Sequence, residues 1–366
     1  MMINELTHRF DRVREQMDQQ GIDHLLIGPS SDLIYMLNYE KRQSERLTLL
    51  VVPRKGQPRL VIPSFELPHI EKFSALVEPV SWTETEDPTE TLARLIENRG
   101  RGQRIAVGGQ LFTYFLLAIQ AVMPDAEYLP GELVMNPVRM RKSAYEIDRL
   151  RVAGQAADQV FLALIKMPLV GLTELEVLSH IHRLLVEKGH DSVGGGIVGA
   201  GPNGASPHHH VGTRRLHTGD AVVIDYGGIL DGYKSDMTRT FHIGEPSDGF
   251  RHVYEIVNEA NQKAFEAVRP GVPAEEIDAV ARNHIAAAGY GPRFLHRTGH
   301  GIGLDTHEPP YIVSGNRTPL DVGMTFSIEP GIYLEGQYGV RIEDIAVVTQ
   351  GGAERLNTST HQLQII

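Results

Sequence analysis

No cysteine occurs among the 366 residues. Disulfide frameworks and thiolate metal sites are thereby excluded, and the absence fits a cytoplasmic protein. Positive charge is also in short supply: 35 lysines and arginines stand against 46 aspartates and glutamates, a net charge of −11 with histidine neutral. That balance argues against nucleic acid or an anionic membrane as the partner. Long apolar runs are missing too. The opening stretch, MMINELTHRFDRVREQMDQQG, reads as a charged amphipathic helix with no apolar segment of leader type, so neither a signal peptide nor a membrane span is expected.

What is present is ordinary in bulk and uneven in detail. An apolar content of 41% and a charged content of 22% are those of a globular chain, and the length allows two domains. Histidine is concentrated: only His8, His24 and His69 of the 17 precede residue 100, and the rest follow residue 179. Chemistry is therefore expected in the C-terminal part.

Residues 1–138 read as a small α/β domain. A helix closes at Gly21, a strand follows over 23–27, and Ser30, Ser31 and Asp32 can cap a short helix over 33–38. Strands at 47–52 and 58–62 flank the turn 54–57, followed by a helix over 89–98, a strand over 104–108 and a helix over 111–123. No phosphate loop or metal spacing occurs there, which points to a structural or oligomerising role. Residues 133–138 read as a linker, so a second domain spans 139–366. It opens with the capping-box pair Ser143 and Glu146, ahead of a long helix to about residue 166.

The second domain is internally duplicated. Each half has a helix, a Gly-containing turn (VGLTELEV at 170–177, PGVPAEEI at 270–277) and a second helix ending near Gly189 or Gly289. Each then reaches a strand of one form, with a glycine, Gly219 or Gly323, six residues before a carboxylate, Asp225 or Glu329. Asp225 and Asp236 are symmetric about the turn 229–232, and Glu329 and Glu343 about Gly336. Two hairpins would set each pair face to face on one side of a sheet. Carboxylates that close repel, and a cation is the usual remedy.

With His300 from the connecting segment, Asp225, Asp236, Glu329 and Glu343 form an oxygen-rich set with one imidazole. It can balance two divalent cations and suits Mn²⁺, Co²⁺ or Zn²⁺. Such a pair lowers the pKa of water and steadies developing negative charge. His208, His296 and His307 gather near this set, and an imidazole can orient a substrate carbonyl or support an oxyanion. Arg341 precedes Glu343 by two residues and shares its face of the strand. It either anchors a substrate carboxylate or orients a metal ligand.

These stretches, IDYGG with SDMTRTF, GHGIGLDTHE, SIEPG and VRIED, resemble the M24 "pita-bread" metallopeptidases, the creatinase, prolidase and methionine aminopeptidase family. The resemblance covers essentially the whole chain. It implies a creatinase-like N-terminal α/β domain followed by a pita-bread domain with a pseudo-twofold helix–helix–hairpin duplication. It further implies that Asp225 chelates one metal, Asp236 and Glu343 bridge both, and His300 and Glu329 complete the second. Glu329 is then the proton shuttle, His208 and His307 bind substrate and support the oxyanion, and His296 lines the pocket.

Among branches of the family, the Xaa-Pro dipeptidases and aminopeptidase P are the most similar. The resemblance thus implies two divalent ions, Mn²⁺ first, short proline-containing peptides as substrates, and a cytoplasmic homodimer. Some prolidases carry an arginine shortly after the HE of GHxxGxxxHE that grips the dipeptide carboxylate. Tyr311 stands there in this chain, leaving Arg317 or Arg341 as substitutes; without either, longer Xaa-Pro peptides become the better substrates. A non-catalytic pita-bread binding protein and another hydrolase on the same fold are the competing readings.

Overall fold

Apolar runs such as HLLI and LLVV are too continuous for strands with one wet face, and they lie in the interior of a sheet covered on both sides. The computed structural model describes residues 2–366. Its first unit, Met1–Arg139, is built on a six-stranded mixed sheet. The strands are ordered Glu78–Trp82, Arg59–Pro63, Leu49–Pro53, His24–Ile27, Arg104–Val107 and Glu127–Pro130. Helix Met2–Gln20 buries Leu6, Phe10, Val13 and Met17, a stripe at helical spacing. Ser30 caps helix Ser31–Leu37, accepting from Leu33 N.

Two features of this unit depart from the sequence reading. The strands Glu78–Trp82 and Glu127–Pro130 were not anticipated; each carries a proline and exposed charge, and both are edge strands, where proline is tolerated. The expected linker at 133–138 is instead part of helix Glu132–Met140, with Pro137 inside it. Burial of Val134, Met135 and Val138 on one side of that helix outweighs the hydrogen bond that proline cannot donate.

The second unit, Met140–Ile366, repeats itself at the level of single hydrogen bonds. Its first half contains helices Ala144–Leu164, entered through the reciprocal Ser143–Glu146 box, and Glu174–Glu187. Its second half contains Asp248–Ala267 and Ala274–Ala287. Gly171 N donates to Leu216 O at 2.8 Å, as Gly271 N does to Leu320 O at 2.7 Å. Glu174 N donates to Arg214 O and Ala274 N to Thr318 O, both at 3.0 Å. Gly171 and Gly271 sit at φ of 83° and 87°, where a side chain would be strained.

Each half packs its helices on a sheet. One sheet runs Gln364–Ile365, Met237–His242, Ala221–Leu230, Ser192–Ala200, and buries Phe161, Ile181, Ile224 and Phe241. The other runs Glu308–Ile312, Gly299–Gly301, Thr325–Ile328, Asp344–Thr349, Gly352–Arg355, and shares its core with Val257, Ile277 and Phe326. Strands Gly331–Leu334 and Tyr338–Arg341 form a separate two-stranded ribbon. Among the described residues no helix is long and apolar enough to cross a membrane.

The two hairpins differ in register. In the second, Gly331 pairs with Arg341 and Ile328 with Asp344, so Glu329 and Glu343 stand opposite each other in the gap between two ladders. Pro330, which has no N–H, follows Glu329 at that gap. In the first hairpin Asp225 pairs with Thr238, not with Asp236. The turn is centred on Asp231 and Gly232, both left-handed at φ of 51° and 85°, because Leu230 pairs with Tyr233. Asp236 is thus the diagonal neighbour of Asp225. The hairpins meet where Thr238 bridges to Glu343, whose N–H donates to Thr238 O at 3.1 Å.

Candidate metal centre

All five candidate ligands reach one cavity of about 490 Å³. Asp225 comes from strand Ala221–Leu230, and Asp236 directly precedes Met237–His242. His300 lies on the short strand Gly299–Gly301; a Cβ on Gly299 would fall 1.8 Å from Ser327 O, so only glycine lets these strands approach so closely. Glu329 and Glu343 enter from the gap between the two ladders. His300 Nε2 is 3.3 Å from Glu329 Oε1 and 3.8 Å from Asp236 Oδ2. Ligand atoms of Asp236, His300 and Glu343 all fall within 4.8 Å of one another.

The electrostatics fit a cation site. Burial, then the charges of Asp225 and Glu329, hold Asp236 well above the usual carboxylate range. Burial and then Asp236 do the same to Glu343, and burial pushes Glu329 up to about 7. Four carboxylates share this buried space with one closely paired guanidinium, that of Arg341, so negative charge is in excess. Burial also holds His300 down to about 3, so its ring stays neutral. Donation from Nδ1 to Gly301 O, 3.2 Å away, leaves the Nε2 lone pair facing Glu329 and Asp236. Divalent cations would replace the protons these carboxyls otherwise need. Asp225, Asp236, His300, Glu329 and Glu343 are the residues that could hold them.

The surrounding side chains divide into those that hold the cluster and those that face the cavity. Arg341 is buried and fully engaged: Nη2 donates to Asp225 Oδ2 at 2.7 Å, Nη1 to Tyr333 Oη at 3.0 Å and to Pro207 O at 3.2 Å, and Nε to Thr238 Oγ1 at 3.2 Å. Thr238 Oγ1 in turn donates to Glu343 Oε2 at 2.7 Å. Of the two roles considered for Arg341, orienting a ligand matches this geometry. His296 is tied by Nε2 to Tyr333 Oη at 2.7 Å, and burial lowers its pKa to about 4. His208 and His307 are exposed on the cavity wall, the His307 ring edge-on to His300 at 4.2 Å.

Two substrate-side expectations are altered. Arg317 does not reach the cavity; its side chain is 87% exposed and faces Glu275 at 3.5 Å. The bond from Glu275 N to Asn316 O draws that segment to the start of helix Ala274–Ala287. Tyr311 pairs with His300 across the strands, but what it supports there is Arg297, whose guanidinium lies 4.5 Å from the tyrosine ring centre. Arg297 lines the cavity, and its charge helps hold His307 below its usual pKa, after burial. Sequence reasoning missed Arg297. It also missed Thr238, whose signal is only its register opposite Asp225.

The chain resembles known proteins along both units. Residues 148–350 match Metallopeptidase family M24, and residues 9–141 match the Creatinase/Prolidase N-terminal domain. The chain is 41% identical over 350 residues to the probable dipeptidase PepE of Mycobacterium tuberculosis, covering 94% of this chain and 92% of that protein. It is 32% identical over 363 residues to the Xaa-Pro dipeptidase of Lactobacillus delbrueckii subsp. lactis, covering 97% and 98%. The crystal structure of dipeptidase PepE from Mycobacterium ulcerans superposes with a TM-score of 0.94 at 40% identity, over 99% of this chain and 98% of that one.

Proposed function

This chain belongs to the M24 metallopeptidases, and we propose that within them it is a metal-dependent Xaa-Pro dipeptidase. The carrying observation is the convergence of Asp225, Asp236, His300, Glu329 and Glu343 on one cavity that also presents Arg297. Two divalent ions, Mn²⁺ first and Co²⁺ or Zn²⁺ on the same donor set, would be held by those five residues. When bound, they supply a nucleophile at neutral pH and stabilise negative charge on the substrate carbonyl.

The chain's own residues divide the remaining work. Glu329 lines the cavity, and the family resemblance makes it the group that takes a proton from the nucleophile and returns it to the leaving proline nitrogen. His307, its pKa lowered by partial burial and by Arg297, can donate an N–H to the carbonyl oxygen as charge develops, and His208 faces the same space. Arg297, stacked on Tyr311, makes no ion pair among the described residues, so its fork is available for a carboxylate. That favours a dipeptide, whose carboxylate lies one residue past the scissile bond. The competing reading, an aminopeptidase P, would leave Arg297 without a fixed partner in longer peptides. The family resemblance supports a homodimer, which sedimentation analysis tests, and the lack of cysteine fits a cytoplasmic protein.

The test is hydrolysis of Ala-Pro, Ala-Pro-Ala and Ala-Ala-Ala after chelation and after Mn²⁺ is restored. Metal-dependent cleavage of Ala-Pro above the others is expected, with turnover abolished in Glu329→Gln. Preference for Ala-Pro-Ala would replace the dipeptidase with an aminopeptidase P. No cleavage of either by the metal-loaded protein would refute a peptidase of this specificity.

A further inference from the structure

A carboxylate outside the metal cluster is buried at a point where the repeated half of the fold does without one. Glu174 is 0% exposed and is the first residue of helix Glu174–Glu187. The cap of that helix is already complete, through the reciprocal bonds of Thr173 and Glu176. The duplicated half tests whether the scaffold needs a carboxylate at this point. There Ala274 occupies the same place, makes the same backbone bond and is equally buried. The repeated architecture therefore stands with a methyl group where Glu174 places a charge.

The Glu174 carboxylate is spent entirely on one segment of the first half. Oε1 accepts from Ala200 N at 3.0 Å and from Asn203 Nδ2 at 2.9 Å. Oε2 accepts from His209 Nε2 at 2.8 Å and from Gly212 N at 3.1 Å. Burial works against ionisation, and these bonds outweigh it, holding the carboxyl below its ordinary pKa. Between His209 and Pro207 stands His208, on the cavity wall. Pro207 O is held from the other side by Arg341 Nη1 at 3.2 Å. Among the described residues, the His208 side chain makes no hydrogen bond or ion pair of its own, so what holds the backbone that carries it is the anchoring of its two neighbours. The second half uses a comparable device, with Asp278 accepting from Thr298 N at 3.1 Å and Thr298 Oγ1 at 2.8 Å, two residues before His300.

We propose that Glu174 is a positioning residue that, by clasping His209 and the backbone at Ala200 and Gly212, aims His208 at the substrate carbonyl. The inference rests on the role given to His208 above. Replacing the carboxylate by an amide turns an N–H₂ toward two donors, so the clasp opens on one side while the metal ligands keep their places. A wall group displaced by an ångström loses much of its effect on the transition state.

The experiment is a double-mutant cycle with metal content measured alongside. Glu174→Gln should lower kcat for Ala-Pro on the order of 10- to 100-fold with Mn²⁺ affinity unchanged. In the His208→Ala background the same change should alter kcat by no more than about twofold, the scatter within which independent effects add. His209→Phe, which removes one bond and leaves Glu174 in place, should follow Glu174→Gln in direction and covers the case in which that variant does not fold. An equal loss in both backgrounds, or a loss that tracks metal content, overturns the proposal. The ¹H–¹³C resonance of the His208 ring, assigned with His208→Ala, reads the clasp without reference to activity. It should move toward that of a free histidine in Glu174→Gln or His209→Phe, and an unmoved resonance overturns the proposal. If the wild-type protein cleaves no Xaa-Pro peptide, the function proposed above fails, and the resonance still decides this one.

Discussion

The Arg341 guanidinium donates to Asp225 Oδ2 at 2.7 Å, with only 3% of the arginine side chain exposed. The same fork reaches Tyr333, which holds His296, and the carbonyl of Pro207. One cation therefore couples a candidate ligand, the histidine-bearing segment and the ribbon Gly331–Leu334. It is a strut of the site, already committed before a substrate arrives.

Arg341→Lys keeps the charge and loses the fork. Ligand-supporting groups of this kind typically cost 10- to 100-fold in metal affinity when replaced, so a drop of about that size is expected in calorimetric Mn²⁺ titration. At saturating metal the KM for Ala-Pro should stay near the wild-type value. A large rise in KM with metal affinity intact would mean that Arg341 grips the substrate.

Removal of the metal should destabilise the second unit. Asp236 and Glu343 are held above the usual carboxylate range by burial and by neighbouring carboxylates, so the cavity gains from any cation that neutralises it. At a free Mn²⁺ concentration one hundred times its dissociation constant, binding stabilises by about 2.7 kcal/mol. Calorimetry with and without chelator should show the lower-melting form only after chelation, and a Tm indifferent to metal would contradict the site.

Arg297→Gln should raise KM for Ala-Pro by about 10- to 100-fold, the worth of a charge-assisted pair to a carboxylate. Ala-Pro-Ala should lose less. Tyr311→Ala removes the face on which Arg297 lies at 4.5 Å and should act in the same direction, more weakly. Equal losses on both peptides would remove Arg297 from carboxylate recognition.

His190, which is not a candidate ligand, provides a pH signature. It is 3% exposed, with Nε2 2.8 Å from Ser235 Oγ and Nδ1 3.2 Å from Leu185 O, and burial lowers its pKa below the ordinary 6.5. The fold thus favours the neutral ring. Its contribution is complete above pH 6.5 and is lost as pH falls from there toward the folded-state value. His190→Gln should cost about 1–2 kcal/mol at pH 7.5, and the deficit should shrink by pH 5 in urea titrations. A deficit that is constant with pH would mean the ring is not held neutral.

Local patterns told much of this in advance. The capping box at Ser143 and Glu146 formed as read, because both partners lie within one turn. Glu329 and Glu343 face each other about Gly336, since a turn with a left-handed glycine sets the count of residues on either side. The first hairpin shows the limit of that count. Asp231 and Gly232 both adopt left-handed backbone, which moved the centre of the turn by one residue and set Thr238, not Asp236, opposite Asp225. The linker misread at 133–138 failed for another reason: burial of Val134 and Met135 is a property of what packs on them.

By itself the sequence pointed to a candidate donor set and the class of cation it suits. Four carboxylates and an imidazole with no thiolate select hard or borderline divalent cations in any fold that gathers them. It also determined the duplication, because a glycine-bounded turn and a helix period are short-range features. Only the tertiary structure decided which arginine is free. Arg341, Arg317 and Arg297 are chemically identical, and their roles separate through burial, register and neighbours far apart in the chain. Arg341 is consumed by Asp225, Arg317 is carried out to solvent, and Arg297 is laid over Tyr311 beside the cavity. The same holds for Glu174, whose partners at Ala200, Asn203, His209 and Gly212 lie 26 to 38 residues away. Side-chain reach is a few ångströms, and only the folded chain brings such partners within it.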